Sequence, residues 1–123
     1  MHPLLQSYLE EMPLIAILRG ITSAEATDVV GVLYQAGFRI VEVPLNSPDP
    51  IRSIEQIAST FGDRMLVGAG TVLDPAEVEA VCDAGGHLYW HLPFASHTTL
   101  LSCVLVPQRN DLDRWSDLKP WQG

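Results

Sequence analysis

The chain of 123 residues is poor in lysine and cysteine and has no long apolar run. Each of these shortages limits the kinds of protein that it can be. Its apolar runs span four to six residues, whereas a membrane-spanning helix needs about 20. Two cysteines, Cys82 and Cys103, are too few for a disulfide framework, and Cys82 in a helical pattern is expected to be a buried thiol. Because the first residues lack the features of a secretory signal, we expect a cytoplasmic protein.

Positive charge is also scarce. The chain has 7 Lys and Arg against 15 Asp and Glu, which gives a net charge of -8 at pH 7. Nucleic acid is therefore an unsuitable partner, since its phosphates need clustered basic side chains. A small anionic ligand is compatible with this charge, because local donors and helix N-termini can bind one. The hydrophobic content of 47% fits a folded domain with an apolar core.

The first part of the chain repeats a strand, a turn and a helix. Apolar runs predict strands at 14–18, 39–43 and 65–69, with a fourth starting near residue 87. The run at 14–18 is apolar throughout, which predicts a strand buried on both faces. Helical spacing of apolar residues follows each of the first three strands. Short, even units favour a barrel over a doubly wound sheet, so we predict an α/β fold with about three and a half units of the N-terminal half of a TIM (β/α)8 barrel.

Polar residues next to the predicted helices indicate where each helix begins. Thr22 to Glu25 and Asp74 to Glu77 fit capping boxes, in which a side chain at each end accepts a bond from the backbone of the other. Asn46 is predicted to cap the second helix, and whether it also faces a substrate stays open.

The repeat ends near residue 88. Residues 89–123 hold all three tryptophans and the only lysine, Lys119, and prolines interrupt any longer element. We therefore expect a partial barrel over residues 1–88 and a divergent, irregular and poorly ordered tail over 89–123. One hypothesis is that the reading frame changed near residue 88. His87, His91 and His97 with Cys103 are a weak metal signature, and we expect no metal.

Three polar side chains come at or near the ends of the predicted strands: Arg19, Glu42 and Thr71. In a β/α barrel these ends meet at the mouth of the active site. Arginine can bind a carboxylate with two hydrogen bonds, and a buried glutamate is suited to proton transfer near neutral pH. Two alternatives stay open: a structural ion pair between Arg19 and Glu42, and a turn or cap role for Thr71.

Three ordered segments carry a specific likeness: residues 13–22 (PLIAILRGIT), 42–47 (EVPLNS) and 68–73 (GAGTVL). Together they resemble the KDPG/KHG-type class I aldolases, Entner–Doudoroff type enzymes that cleave 2-keto-3-deoxy-6-phospho sugar acids. The likeness covers about residues 12–88. The second segment resembles the galactonate-type motif more than the gluconate-type one, which typically has arginine where Asn46 stands.

The resemblance implies a Schiff-base lyase that needs no cofactor and cleaves 2-dehydro-3-deoxy-6-phosphogalactonate to pyruvate and glyceraldehyde 3-phosphate. It implies that Glu42 is the general acid/base, that Arg19 binds the substrate carboxylate and that Thr71 helps to bind the pyruvate portion, with Asn46 as a further substrate contact. The family typically forms homotrimers.

The resemblance also places the Schiff-base lysine on a later strand, which has no counterpart here. Lys119 stands beside a proline outside any apolar run, so the role is not transferred to it. We therefore expect a chain truncated before the lysine and inactive alone. The alternatives are a non-catalytic half-barrel, which binds acidic metabolites or assembles with another chain, and an erroneous gene model of a full enzyme.

Overall fold

A largely parallel sheet flanked by helices forms the part of the chain that the computed structural model describes, residues 3–91 and 102–105. The elements, in chain order, are α1 Pro3–Glu11, β1 Ile15–Ile17, α2 Ala26–Gln35, β2 Ile40–Pro44, α3 Pro50–Phe61, β3 Leu66–Gly70, α4 Pro75–Asp83, β4 Leu88–His91 and β5 Ser102–Leu105. The strands lie in the order β1-β2-β3-β4-β5; the first four are parallel and β5 is antiparallel to β4. The three and a half βα units predicted from the sequence are present.

The two faces of the sheet bury different sets of residues. One face packs against α2, α3 and α4, and its strand residues include Val41, Val43, Val67 and Ala69. The opposite face holds a smaller cluster of Leu5, Ile40, Leu66 and Leu88. Because side chains alternate along a strand, Glu42 lies on this second face, two residues beyond Ile40.

Helix α1 closes one end of the second face, and the sequence patterns above did not predict it. Its Leu5 is 5% exposed in the small cluster, and Tyr8 and Leu9 pack beside it. The spacing of these three residues is the signal that could have indicated the helix. Arg39 fixes the helix to the body of the chain, since its Nε lies 2.8 Å from Oε1 of Glu11.

The first strand corrects one expectation. Residues 14–18 were predicted to be buried on both faces, yet Leu14 is 53% exposed and Ile17 is 59% exposed. The reason is position: within the described strands β1 pairs with β2 alone, and it therefore forms an edge of the sheet.

The helix starts confirm one predicted cap and correct two. Asp74 and Glu77 form the complete capping box at α4. At α2, the Glu25 carboxylate accepts from the Thr22 N–H at 3.1 Å, but the Thr22 hydroxyl does not cap the helix, because the Glu25 N–H donates to the Thr22 carbonyl in a turn. Asn46 does not cap α3; the N-cap is Asp49, in a left-handed conformation with φ 42°.

The segment expected to be an irregular tail contains strand residues. Residues 89–91 complete β4, and Ser102–Leu105 forms β5 along it. Lys119 and His97 fall outside the described residues.

Cys82 on α4 was expected to be a buried thiol. It is a free thiol that is half-buried, and its pKa is raised mainly by burial.

Candidate active site

Glu42 lies inside the sheet at a point fixed by the strand register. It pairs with Ile17 of β1 on one side and with Gly68 of β3 on the other. Only 6% of the residue is exposed, and β2 ends two residues later at Pro44. A carboxylate at such a place is costly unless it is paired, because burial removes the water that solvates its charge.

Two glycines of β3 make room on the same face as Glu42. A Cβ added at Gly70 would overlap the Oε2 of Glu42, so the carboxyl group lies directly over the Cα of Gly70. A Cβ added at Gly68 would overlap the backbone of Leu88 instead. Gly70 therefore accommodates the acid, whereas Gly68 allows β4 to approach β3.

Burial raises the pKa of Glu42 from its ordinary 4.5 to about 7, and the charge of Arg19 opposes that rise. The backbone places Arg19 nearby, since the Leu18 N–H donates to the Glu42 carbonyl at 2.9 Å. Oε2 of Glu42 is buried and has no hydrogen-bond partner among the residues that the structure describes. Such a group can exchange a proton near neutral pH.

The structure does not show the ion pair that was left open between Arg19 and Glu42. Within residues 3–91 the ion pairs are Arg39 with Glu11 and Arg64 with Asp63. Arg19 is exposed and acts on Glu42 through its charge rather than through a direct contact. Its guanidinium fork is thus not occupied by Glu42, and it can bind an external carboxylate.

The stability of the chain should report the state of Glu42. The folded chain keeps the Glu42 proton up to a pH of about 7, whereas the unfolded chain loses it near 4.5. The free energy of unfolding should therefore fall as pH rises through this window and level off above it. Glu42→Gln should remove this pH dependence, because glutamine has no proton to lose. Above pH 7 it should raise the free energy of unfolding by about 2 kcal/mol, less than the whole pKa difference corresponds to, since water screens part of the charge. Urea titrations between pH 4 and 8.5 measure the effect.

Glu55→Gln provides the matched control for that profile, because Glu55 is an exposed glutamate on α3. Its pH profile should follow that of the wild type. Identical profiles for the Glu42 and Glu55 variants would show that Glu42 titrates in the folded chain as it does in the unfolded one.

Thr71 and Asn46 lie in the loops that follow β3 and β2. Thr71 is half-buried directly after Gly70, with φ 58°, a conformation that is uncommon for a β-branched residue. Strain of this kind occurs often in binding loops. Asn46 is exposed in the turn after β2. The structure thus brings Arg19 close to Glu42 and places Thr71 beside the glycine under Glu42, whereas Asn46 forms no hydrogen bond or ion pair with them in the described part of the chain.

The sequence patterns missed two residues of this site, Gly70 and Ser47. Gly70 accommodates the carboxyl group of Glu42, and the Ser47 Oγ accepts a hydrogen bond from the Gly20 N–H at 3.0 Å. The alternation of side chains could have placed Gly70 beside Glu42 if the strand register had been known. No local pattern identifies the bond of Ser47, because its partner lies 27 residues away.

Among the side chains that the structure describes, no three that could bind a metal lie together. None of the helices in residues 3–91 combines the length and the apolar character that crossing a membrane requires.

Comparison with known proteins gives consistent matches. The probable 2-dehydro-3-deoxy-6-phosphogalactonate aldolase of Rhizobium meliloti (strain 1021) is 55% identical over 78 residues, which are 63% of this chain and 37% of the relative. A structure described as native KDPGal is 52% identical with a TM-score of 0.63, over 64% of this chain and 38% of its own. A KDPG aldolase from Legionella pneumophila, with pyruvate captured at low pH as a covalent carbinolamine intermediate, is 29% identical with a TM-score of 0.61, over 68% of this chain and 40% of its own.

The chain thus spans less than two fifths of the length of the curated relatives that it matches. The agreement in fold confirms the predicted class, the N-terminal half of a barrel. The family described as "Aldolase: KDPG and KHG aldolase" matches residues 5–93, a stretch that includes every strand from β1 to β4. The chain belongs to the KDPG and KHG aldolase family.

Proposed function

We propose that this chain supplies the proton-transfer and carboxylate-binding side of an aldolase site that cleaves 2-dehydro-3-deoxy-6-phosphogalactonate to pyruvate and glyceraldehyde 3-phosphate. The observation that carries the proposal is the Glu42 carboxyl group. It is buried near the strand ends, its pKa is about 7, and its Oε2 has no hydrogen-bond partner within the described part of the chain. The similarity to a probable aldolase for this substrate supports the choice of substrate.

The reaction needs a group that both accepts and returns a proton. In the Schiff base of the substrate, the carbon–carbon bond breaks and its electron pair moves into the imine, while the hydroxyl of the departing aldehyde loses a proton. The resulting enamine then gains a proton on carbon, and hydrolysis releases pyruvate. Glu42 suits both transfers, because a pKa of about 7 leaves its two states similarly populated at neutral pH.

The neighbours of Glu42 complete this side of the site. We assign the substrate carboxylate to Arg19, whose guanidinium is exposed and free of ion pairs within the described residues. We assign the pyruvate portion to Thr71, beside Gly70. Asn46, in the exposed turn after β2, is the proposed contact to the sugar-acid end of the substrate.

We further propose that the 123-residue chain does not cleave the substrate unaided. A Schiff base needs an amine, and the chain has one lysine, Lys119, which no predicted strand carries toward Glu42. In the family that this chain resembles, the lysine comes from a later strand. We therefore assign the amine to a part of the barrel that these residues do not include.

A chimera tests this assignment. The 78 matched residues of the Rhizobium meliloti relative, 55% identical, are replaced by those of this chain, so that the relative contributes the rest of the barrel. The chimera should release pyruvate from the substrate in an assay coupled to lactate dehydrogenase. Borohydride should trap pyruvate on a lysine of the relative's portion.

The 123-residue chain is assayed in parallel and should give neither product nor adduct. Turnover by this chain with an adduct on Lys119 would contradict the assignment of the amine. A folded chimera that releases no pyruvate would contradict the proposed function itself.

The second candidate function is a half-barrel that assembles with another chain. It is favoured by two exposed apolar residues at this edge of the sheet: Leu14, directly before β1, is 53% exposed, and Ile17, in β1, is 59% exposed. Sedimentation velocity and pyruvate binding separate the two candidates. A discrete oligomer that does not bind pyruvate supports assembly, and a monomer whose pyruvate binding depends on Arg19 supports the aldolase site.

A further inference from the structure

Ser47 joins the loop after β2 to the loop that carries Arg19. The residue is 7% exposed, and its Oγ accepts a hydrogen bond from the Gly20 N–H at 3.0 Å. Gly20 follows Arg19 directly and has φ +79°, a conformation that suits glycine. The bond therefore fixes the backbone at the residue next to Arg19.

Two further hydrogen bonds hold Ser47 itself in place. The Ser47 N–H donates to the Pro44 carbonyl at 2.9 Å, which closes a turn at the end of β2. The Leu45 N–H donates to the Gly70 carbonyl at 2.8 Å, which ties that turn to β3. Hydrogen bonds thus join the loop after β1 to the loop after β2, and the loop after β2 to the end of β3. The first of these links is made by the side chain of Ser47.

Ser47 lies shortly before α3, but it is not the N-cap of that helix. Serine before a helix is commonly an N-cap, but α3 begins at Pro50 and its N-cap is Asp49. The Ser47 hydroxyl instead accepts from a residue 27 positions earlier in the chain. This long-range bond brings two loops together rather than starting a helix.

We propose that Ser47 is a positioning residue, whose hydroxyl holds the Arg19 loop against the loop after β2 and so keeps the guanidinium close enough to Glu42 for its charge to act there. The relevance of this residue to substrate binding rests on the proposed function, but the positioning itself does not. Without the Ser47 oxygen the Gly20 N–H loses its partner, and the backbone next to Arg19 is released.

Ser47→Ala, with Ser53→Ala as its control, tests the proposal in the 123-residue chain. Ser53 is a fully buried serine whose hydroxyl has no partner among the described residues, so its loss should change neither readout. Ser47→Ala should speed the exchange of the Gly20 amide hydrogen on the order of tenfold. It should also raise the pKa of Glu42, measured from the 13C shift of its side-chain carboxyl, because Arg19 lowers that pKa in the wild type.

A double variant separates positioning from a general loss of packing. If Ser47 acts through Arg19, Ser47→Ala should add no shift of the Glu42 pKa where Arg19→Gln is already present. An equal shift with and without Arg19 would overturn the proposal. So would Ser47→Ala if it left both the exchange rate and the pKa unchanged.

Ser47→Thr and Ser47→Val keep the test decisive if the alanine variant does not fold. The two side chains have nearly the same shape and differ in the oxygen, so only the valine variant should show faster Gly20 exchange and a raised Glu42 pKa. Equal behaviour of this pair would overturn the proposal. Neither readout involves turnover, so a chimera without aldolase activity would remove the proposed function and leave the positioning role intact.

Discussion

Glu42→Gln is expected to slow pyruvate release by the active chimera by about 10²- to 10⁴-fold, the range for loss of a general acid/base. Glutamine keeps the shape of the side chain but can neither accept nor return a proton at neutral pH. Because both proposed proton transfers use this carboxyl group, the loss should fall on kcat, with KM changed little. Steady-state kinetics with the coupled assay measure both constants.

The same change at Glu55 is the control for that rate. Glu55 is an exposed glutamate on α3, so Glu55→Gln should leave kcat as it is. In the wild-type chimera, kcat should change with pH around pH 7, where Glu42 titrates. This pH dependence should disappear when Glu42 is replaced. If a Glu42 variant keeps more than about a tenth of the wild-type kcat, Glu42 is not the general acid/base. A loss of less than about tenfold is well below the loss expected when such a group is removed.

Gly68→Ala is expected to lower the free energy of unfolding of the 123-residue chain by about 3 kcal/mol, the upper end for overpacking a core. The added methyl group would overlap the carbonyl oxygen of Leu88, which belongs to the backbone and cannot rotate away. Gly68 pairs with Leu88 in the sheet, so relief of the overlap requires β4 to move away from β3. Urea denaturation followed by circular dichroism measures the loss.

Gly31→Ala is the matched control, since it adds the same methyl group inside α2. Its Cβ would meet the Cζ of Phe61 at 3.7 Å, an ordinary van der Waals contact. Alanine is favoured over glycine in a helix by about 1 kcal/mol, so this variant should be as stable as the wild type or more stable. Equal effects of the two variants would show that the approach of β4 to Gly68 is not needed for the fold.

The sequence predicted the repeating units because its strong signals are local. The complete capping box at Asp74 and Glu77 lies within one turn of chain, and Gly37 and Gly85 follow the helices they end, with φ +104° and +90°. Glu42 could be proposed as a proton-transfer group because a carboxylate inside an apolar strand is unusual whatever surrounds it.

The features that the sequence could not predict depend on contacts between distant residues. Asparagine is a residue type that often caps helices. At Asn46, however, the chain first makes a turn from Pro44 to Ser47, and the helix begins only after Asp49. The exposure of Ile17 follows from the place of β1 at the edge of the sheet, which an apolar run does not reveal. The bond between Ser47 and Gly20 likewise requires two strands to be neighbours before it can form.

A titration of the Glu42 carboxyl carbon by 13C NMR, in the folded 123-residue chain, measures directly whether Glu42 keeps its proton near neutral pH. We expect a midpoint at about pH 7, because burial raises the pKa of Glu42 and the charge of Arg19 opposes only part of that rise. A midpoint near 4.5, the ordinary value of a glutamate, would contradict the account, because such a group would be ionised at neutral pH and could not serve as the acid.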